Sequence, residues 1–122
     1  MSGLVVVDHG AGNLPNLVRA LEHLGQTPKV SGDPNVVSSA DRLILPGVGA
    51  FGDCMAELKR AGLITALLAF RERERPLLGI CVGMQLLASS GTENEQVNGL
   101  DWLPGKVVKL KPHKANERIP HL

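Results

Sequence analysis

The segment Leu78-Gly79-Ile80-Cys81-Val82-Gly83-Met84-Gln85 sets a cysteine between two glycines, where an apolar run over residues 76–80 gives way to helical spacing. Such a G-x-C-x-G pattern is the thiol version of a nucleophile elbow, a sharp strand-to-helix turn that drives one side chain into the open. It requires a strand entering and a helix leaving, which points to folds that alternate the two. Small neighbours are needed, because a bulkier residue at Gly79 or Gly83 would crowd the turn. A thiol at a helix N-terminus meets unpaired N–H groups and the positive end of the helix dipole, both of which favour the thiolate. The competing role for a cysteine in an apolar run is a small buried hydrophobe. The paired glycines argue for a nucleophile at Cys81. Cys54, in Phe51-Gly52-Asp53-Cys54-Met55, lacks that punctuation and reads as core.

The rest of the chain supplies the same alternation. Leu4–Val7 is a short, fully apolar run, as expected of a strand buried on both faces. It ends in the turn Asp8-His9-Gly10-Ala11-Gly12-Asn13. Asn13 is placed to cap a helix that tolerates Pro15 in its first turn and stops at Gly25, with Leu14, Leu17, Val18, Leu21 and Leu24 on one face. Residues 27–30 make a short second strand, followed by a polar connection at Asp33-Pro34. Residues 42–45 form the next strand, closed by Pro46-Gly47-Val48-Gly49. Asp53 caps a helix carrying Met55 and Leu58, and residues 63–74 form another whose inner face is Leu63, Leu67 and Phe70. The mixed charges over residues 71–75 read as a solvated helix end that Pro76 stops. Residues 77–80 are the strand feeding Cys81, and Met84, Leu86 and Leu87 belong to the helix after it. Further on, residues 91–98 read as a polar loop, Pro104-Gly105 as a turn and residues 106–110 as a half-exposed strand. The order implies a doubly wound, mostly parallel α/β sheet in one domain over residues 1–122.

Bulk properties exclude several classes of partner. A formal net charge of +1 over 122 residues provides no basic face for nucleic acid. With no tyrosine, one tryptophan and two phenylalanines, base-stacking platforms are hard to assemble. The opening apolar run is too short for a membrane span and has no basic leader. Two cysteines define neither a disulfide framework nor a zinc site, so no metal is expected and the chain reads as cytoplasmic.

In open parallel sheets, ligands bind outside the carboxyl ends of the strands. Three turns should gather there: residues 8–13, residues 46–51 and the Cys81 elbow. The glycines of Pro46-Gly47-Val48-Gly49 let main-chain N–H groups approach a ligand closely, and one of them with the Val82 N–H can form an oxyanion hole.

Together, Asp8-His9-Gly10-Ala11-Gly12-Asn13, Leu45-Pro46-Gly47-Val48-Gly49-Ala50-Phe51, the elbow from Leu78 to Leu87, Gly99-Leu100 and Leu103-Pro104-Gly105 resemble the glutaminase subunits of imidazole glycerol phosphate synthases, class I glutamine amidotransferases of histidine biosynthesis. His9 stands where that family commonly has tyrosine. The resemblance implies the flavodoxin-like sheet of that class and glutamine as substrate. It makes Cys81 the nucleophile, and Gly47, Val48, Gly49 and Val82 the oxyanion-stabilising backbone. Gln85 and Glu93 match positions that bind glutamine's polar groups. Asn13, Pro120 and His121 match the face toward a cyclase subunit, the other half of a heterodimer. No metal or organic cofactor is implied.

The family completes its triad with a histidine and a glutamate in a His-Pro-Glu segment, which these 122 residues do not contain. None of His9, His23, His113 and His121 sits in such a segment. The resemblance therefore implies a sheet incomplete on its C-terminal side, with an exposed edge and little glutaminase activity from this chain alone. Two other roles stay open: a non-catalytic module that docks on the cyclase or another protein, and a different thiol hydrolase of the same sheet class.

Overall fold

Leu4–Val7 is β1, an inner strand of the main sheet. The computed structural model describes residues 3–119, so Pro120 and His121 lie outside the described residues. Parallel strands β2 (Lys29–Ser31), β3 (Arg42–Gly47) and β4 (Leu77–Cys81) join β1 in the order β2-β1-β3-β4. This is the flavodoxin-like order, whose direction reverses between β1 and β3. The register pairs Val6 with Ile44, Ile44 with Leu78 and Gly47 with Cys81.

Helix α1 (Leu14–His23) runs as expected: the Asn13 side chain accepts from the Asn16 N–H at 3.3 Å, and Gly25 follows the helix with φ +81°. It covers one face of the sheet, where Leu14, Leu17 and Leu21 pack on Leu4, Val6 and Ile44. The other face is thicker. Val5, Val7, Leu43 and Leu45 meet side chains from α2 (Pro34–Ser38), α3 (Phe51–Arg60), α4 (Leu63–Glu72) and α5 (Val82–Gln85). Burying Leu58, Leu67 or Phe70 there contributes about 2 kcal/mol each. Helices on both faces make the sheet doubly wound. Among the described residues β4 pairs only with β3, and Leu78 on it is 57% exposed.

Several local expectations are corrected. The polar connection at Asp33-Pro34 is the start of α2, because Asp33 accepts from the Asn35 N–H at 2.9 Å and Pro34 needs no N–H in a first turn. Pro46 and Gly47 end β3 rather than form its closing turn. Asp53 lies inside the first turn of α3, whose cap position is Ala50. The helix after Cys81 is one turn long: Leu86 ends it, and Leu87 leads into β5 (Ala88–Gly91).

The polar stretch after it is not a plain loop. A second, three-stranded sheet has the order β6-β5-β7, with β6 (Val97–Asn98) antiparallel and β7 (Leu103–Val107) parallel to β5. Pro104-Gly105 sits inside edge strand β7 as a bulge, two residues set against Ser89 alone, and not in a turn. Val97, Leu100, Trp102 and Val107 pack into the thicker core, so the small sheet shares it. No helix among the described residues is long and apolar enough to cross a membrane.

Candidate active site

Cys81 is the last residue of β4 and the cap of α5, held at φ 56° and ψ −123° with its side chain exposed. A non-glycine residue in that region of the backbone costs on the order of 1–3 kcal/mol and persists only where the surroundings enforce it. Here they do, by close approach. A Cβ on Gly83 would lie 1.9 Å from the Leu45 carbonyl oxygen, one on Gly79 2.6 Å from Met84 Cα, and one on Gly47 2.6 Å from the Gly83 nitrogen. The elbow therefore interlocks with the end of β3, and Gly47 is required by packing as well as by any ligand.

The loop after β3 is held differently. His9, 4% exposed, donates from Nε2 to the Pro46 carbonyl oxygen at 2.6 Å. The Cys54 thiol donates to the Val48 carbonyl oxygen at 3.2 Å. A Glu93 carboxylate oxygen accepts from the Phe51 N–H at 2.9 Å, capping α3 where Ala50 has no side chain to do so. Burial pushes the Cys54 thiol up from its ordinary value of 9.0; the hydrogen bond with the Val48 backbone draws it part of the way back, and the carboxylates of Asp53, Glu57 and Glu93 add to the rise. A protonated thiol is the form that donates to a carbonyl.

Between loop and elbow opens a cavity of about 430 Å³ lined by Gly49, Val82, Gln85, Glu93, Val107, Val108 and Lys109. That size lies in the usual range for small-molecule sites, roughly 300–1,000 Å³. Four of the residues singled out from the sequence thus line one space. Cys81 is not among the lining residues, although its neighbour Val82 is, and Gly47 stands beside it in register. Val82 opens a helix, so its N–H has no intrahelical partner. Val48 is 56% exposed and presents its carbonyl to Cys54. Gln85 closes the single turn of α5, and Glu93 combines its α3 cap with a place in the cavity wall. Asn13 is exposed at the start of α1 and lines no part of the cavity.

Three lining residues have no sequence signal: Val107, Val108 and Lys109 reach the cavity because β7 pairs with β5, placing Val107 opposite Gly91. Cys54 was read as core and is buried, but its thiol also has a polar task. Its position just inside a helix that follows a glycine loop is the signal that was available. Among the described residues, no three His, Cys, Asp or Glu side chains are grouped to hold a metal ion. His23 and His113 are exposed and line no part of the cavity.

A solved structure described as a glutamine amidotransferase superposes with a TM-score of 0.73 over 93% of this chain and 60% of its own, at 21% identity, which establishes the fold. The imidazole glycerol phosphate synthase subunit HisH of Moorella thermoacetica is 46% identical over 122 residues. The HisH subunits of Streptococcus sanguinis and Methanothermobacter thermautotrophicus are 45% and 40% identical over 119 residues. The chain spans 57% of the length of the Moorella and Streptococcus relatives and 58% of the Methanothermobacter one. The family model for glutamine amidotransferase class-I matches residues 5–121, nearly the whole sequence, and the chain therefore belongs to the class-I glutamine amidotransferases.

Proposed function

We propose that this chain carries the nucleophile and oxyanion half of a glutaminase that supplies ammonia for imidazole glycerol phosphate synthesis in histidine biosynthesis. The observation that carries this reading is the strained, exposed Cys81 set in register with Gly47, beside a cavity lined by Gly49, Val82, Gln85 and Glu93. The names of the relatives support the choice of pathway.

The Cys81 sulfur attacks the side-chain carboxamide carbon of glutamine, forming a C–S bond as the C=O electron pair moves to oxygen. Backbone N–H groups of the Gly47-Val48-Gly49 loop and of Val82 hold that negative charge. The C–N bond then breaks, the nitrogen takes a proton and leaves as ammonia, and a γ-glutamyl thioester remains on Cys81. Water hydrolyses the thioester to glutamate and restores the thiol. Gln85 and Glu93 orient the substrate, the Glu93 carboxylate by accepting from its α-ammonium group. The ammonia passes to a cyclase subunit docked at the face that includes Asn13. The reaction runs in the cytoplasm, where thiols stay reduced.

No described histidine lines the cavity, so the proton donor for ammonia and the base for water lie outside this set of residues. Without them, glutamine turnover by the 122-residue chain is expected to be negligible, since loss of an acid–base partner commonly costs several powers of ten. The test therefore uses a γ-glutamyl nitrophenyl ester, whose leaving phenolate needs no general acid. Acylation at Cys81, read by peptide mass spectrometry and absent in Cys81→Ser, is the expected result. Acylation confined to Cys54, or none at either thiol, would refute the reading. Co-precipitation with the cyclase separates the enzyme half from a module that only docks: a docking module binds without being acylated.

A further inference from the structure

His9 and Glu93 fasten the two ends of the loop, at Pro46 and Phe51. Between those anchors, the described residues give Val48 and Gly49 a single side-chain hydrogen bond, the one from Cys54. The peptide unit is planar and trans, so its C=O and N–H point in opposite directions. A Val48 carbonyl turned inward to a buried thiol turns the Gly49 N–H outward, away from α3. Gly49 itself lines the cavity and has φ +87°. Glycine accepts either sign of φ at little cost, so the backbone alone does not choose the direction of this peptide. Something attached to a rigid element has to choose. Cys54, 3% exposed and anchored in α3, is that group.

The geometry points to Cys54 as a positioning residue: by donating to the Val48 carbonyl, its thiol aims the Gly49 N–H at the oxygen that becomes charged when Cys81 attacks. This rests on the proposed glutaminase reading and deepens it. It assigns the second cysteine a task in the chemistry without contact with substrate.

The experiment compares the full chain with Cys54→Ala, which removes the donor, and Cys54→Ser, which keeps one. Two readouts are taken: the residual dipolar coupling of the Gly49 N–H bond, which reports its direction without substrate, and the rate of Cys81 acylation by the γ-glutamyl nitrophenyl ester. The expected result is a changed coupling and about a tenfold slower acylation in Cys54→Ala, with both restored in Cys54→Ser. An unchanged Gly49 coupling in Cys54→Ala would overturn the proposal. So would a changed coupling with an unchanged rate, because the thiol would then orient a peptide that the chemistry does not use. Equal losses in Ala and Ser variants would also overturn it, marking a packing role. A wild-type chain that is not acylated defeats the glutaminase reading, while the coupling still decides whether Cys54 turns the peptide.

Discussion

Residues 46–51 and residues 79–83 meet across two register pairs, Pro46 with Ile80 and Gly47 with Cys81, yet the two turns are fixed in opposite ways. The elbow is held by the absence of side chains: Gly47, Gly79 and Gly83 let β3, β4 and α5 approach until no Cβ fits between them. The loop is held by the presence of side chains, as His9 from the turn after β1, Cys54 from α3 and Glu93 from the loop after β5 reach in. Steric interlock is all-or-none, and suits a nucleophile that must stay strained. Hydrogen bonds are worth about 1 kcal/mol each and can be exchanged, which suits donors that must meet a transient charge. One consequence is that substitutions in the elbow should cost folding, whereas substitutions under the loop should cost alignment.

The largest effect is expected at Gly83. Its added Cβ would run into the backbone of β3 at Leu45 and Pro46, with the Leu45 oxygen at 1.9 Å, so no flexible side-chain end can yield. Gly83→Ala should lose about 4 kcal/mol or more, read as a collapse of the urea midpoint. A variant that kept the wild-type midpoint would show that the elbow is not interlocked. Next comes His9→Phe, which keeps a ring in the buried site and leaves the Pro46 carbonyl without its donor. A loss of about 2 kcal/mol is expected by chemical denaturation, with Cys81 acylation slowed further than stability alone explains. A stability change near zero would mean that the loop is held without this tether. Cys81→Gly should move the other way. It relieves the φ 56° strain and stabilises the chain by about 1 kcal/mol while abolishing acylation. Destabilisation in that variant would argue that the elbow conformation is not strained.

Legibility in the sequence divides along the same line. The interlocked half was readable because it is written locally: apolar runs gave β1, β3 and β4, helical spacing gave α1, α3 and α4, and the glycines around Cys81 marked the elbow. Even there, α5 is a single turn, since Gly83 weakens a helix interior and the chain is drawn off into β5. The second sheet was not readable. Ala88-Ser89-Ser90-Gly91 has no alternating pattern, β6 is two residues long, and the turn chemistry of Pro104-Gly105 is absorbed by a bulged edge strand. The tethers were hidden for another reason. His9 and Pro46 are 37 residues apart and Phe51 and Glu93 are 42, so only the folded topology brings each pair together. Lys109 joins the cavity by the same route, through strand pairing rather than any motif.

The smallest effect is a pH dependence that isolates the burial of the Cys54 thiol. Burial and the neighbouring carboxylates raise the folded-state value of this thiol above 9.0, while in the unfolded chain it returns to its ordinary range. Between the two values the folded state holds a proton that the unfolded state has released. Stability from this group is therefore complete below about pH 9 and declines as pH rises through the raised value, at no more than about 1.4 kcal/mol per pH unit. Urea midpoints of wild type and Cys54→Ala, taken at about pH 8 and about pH 10.5, should show a steeper alkaline loss in wild type. Every other group is common to both chains and cancels in the difference. Parallel slopes would mean that Cys54 ionises as easily folded as unfolded. Its thiol would then be open to water, and too loosely seated to hold the Val48 carbonyl in place.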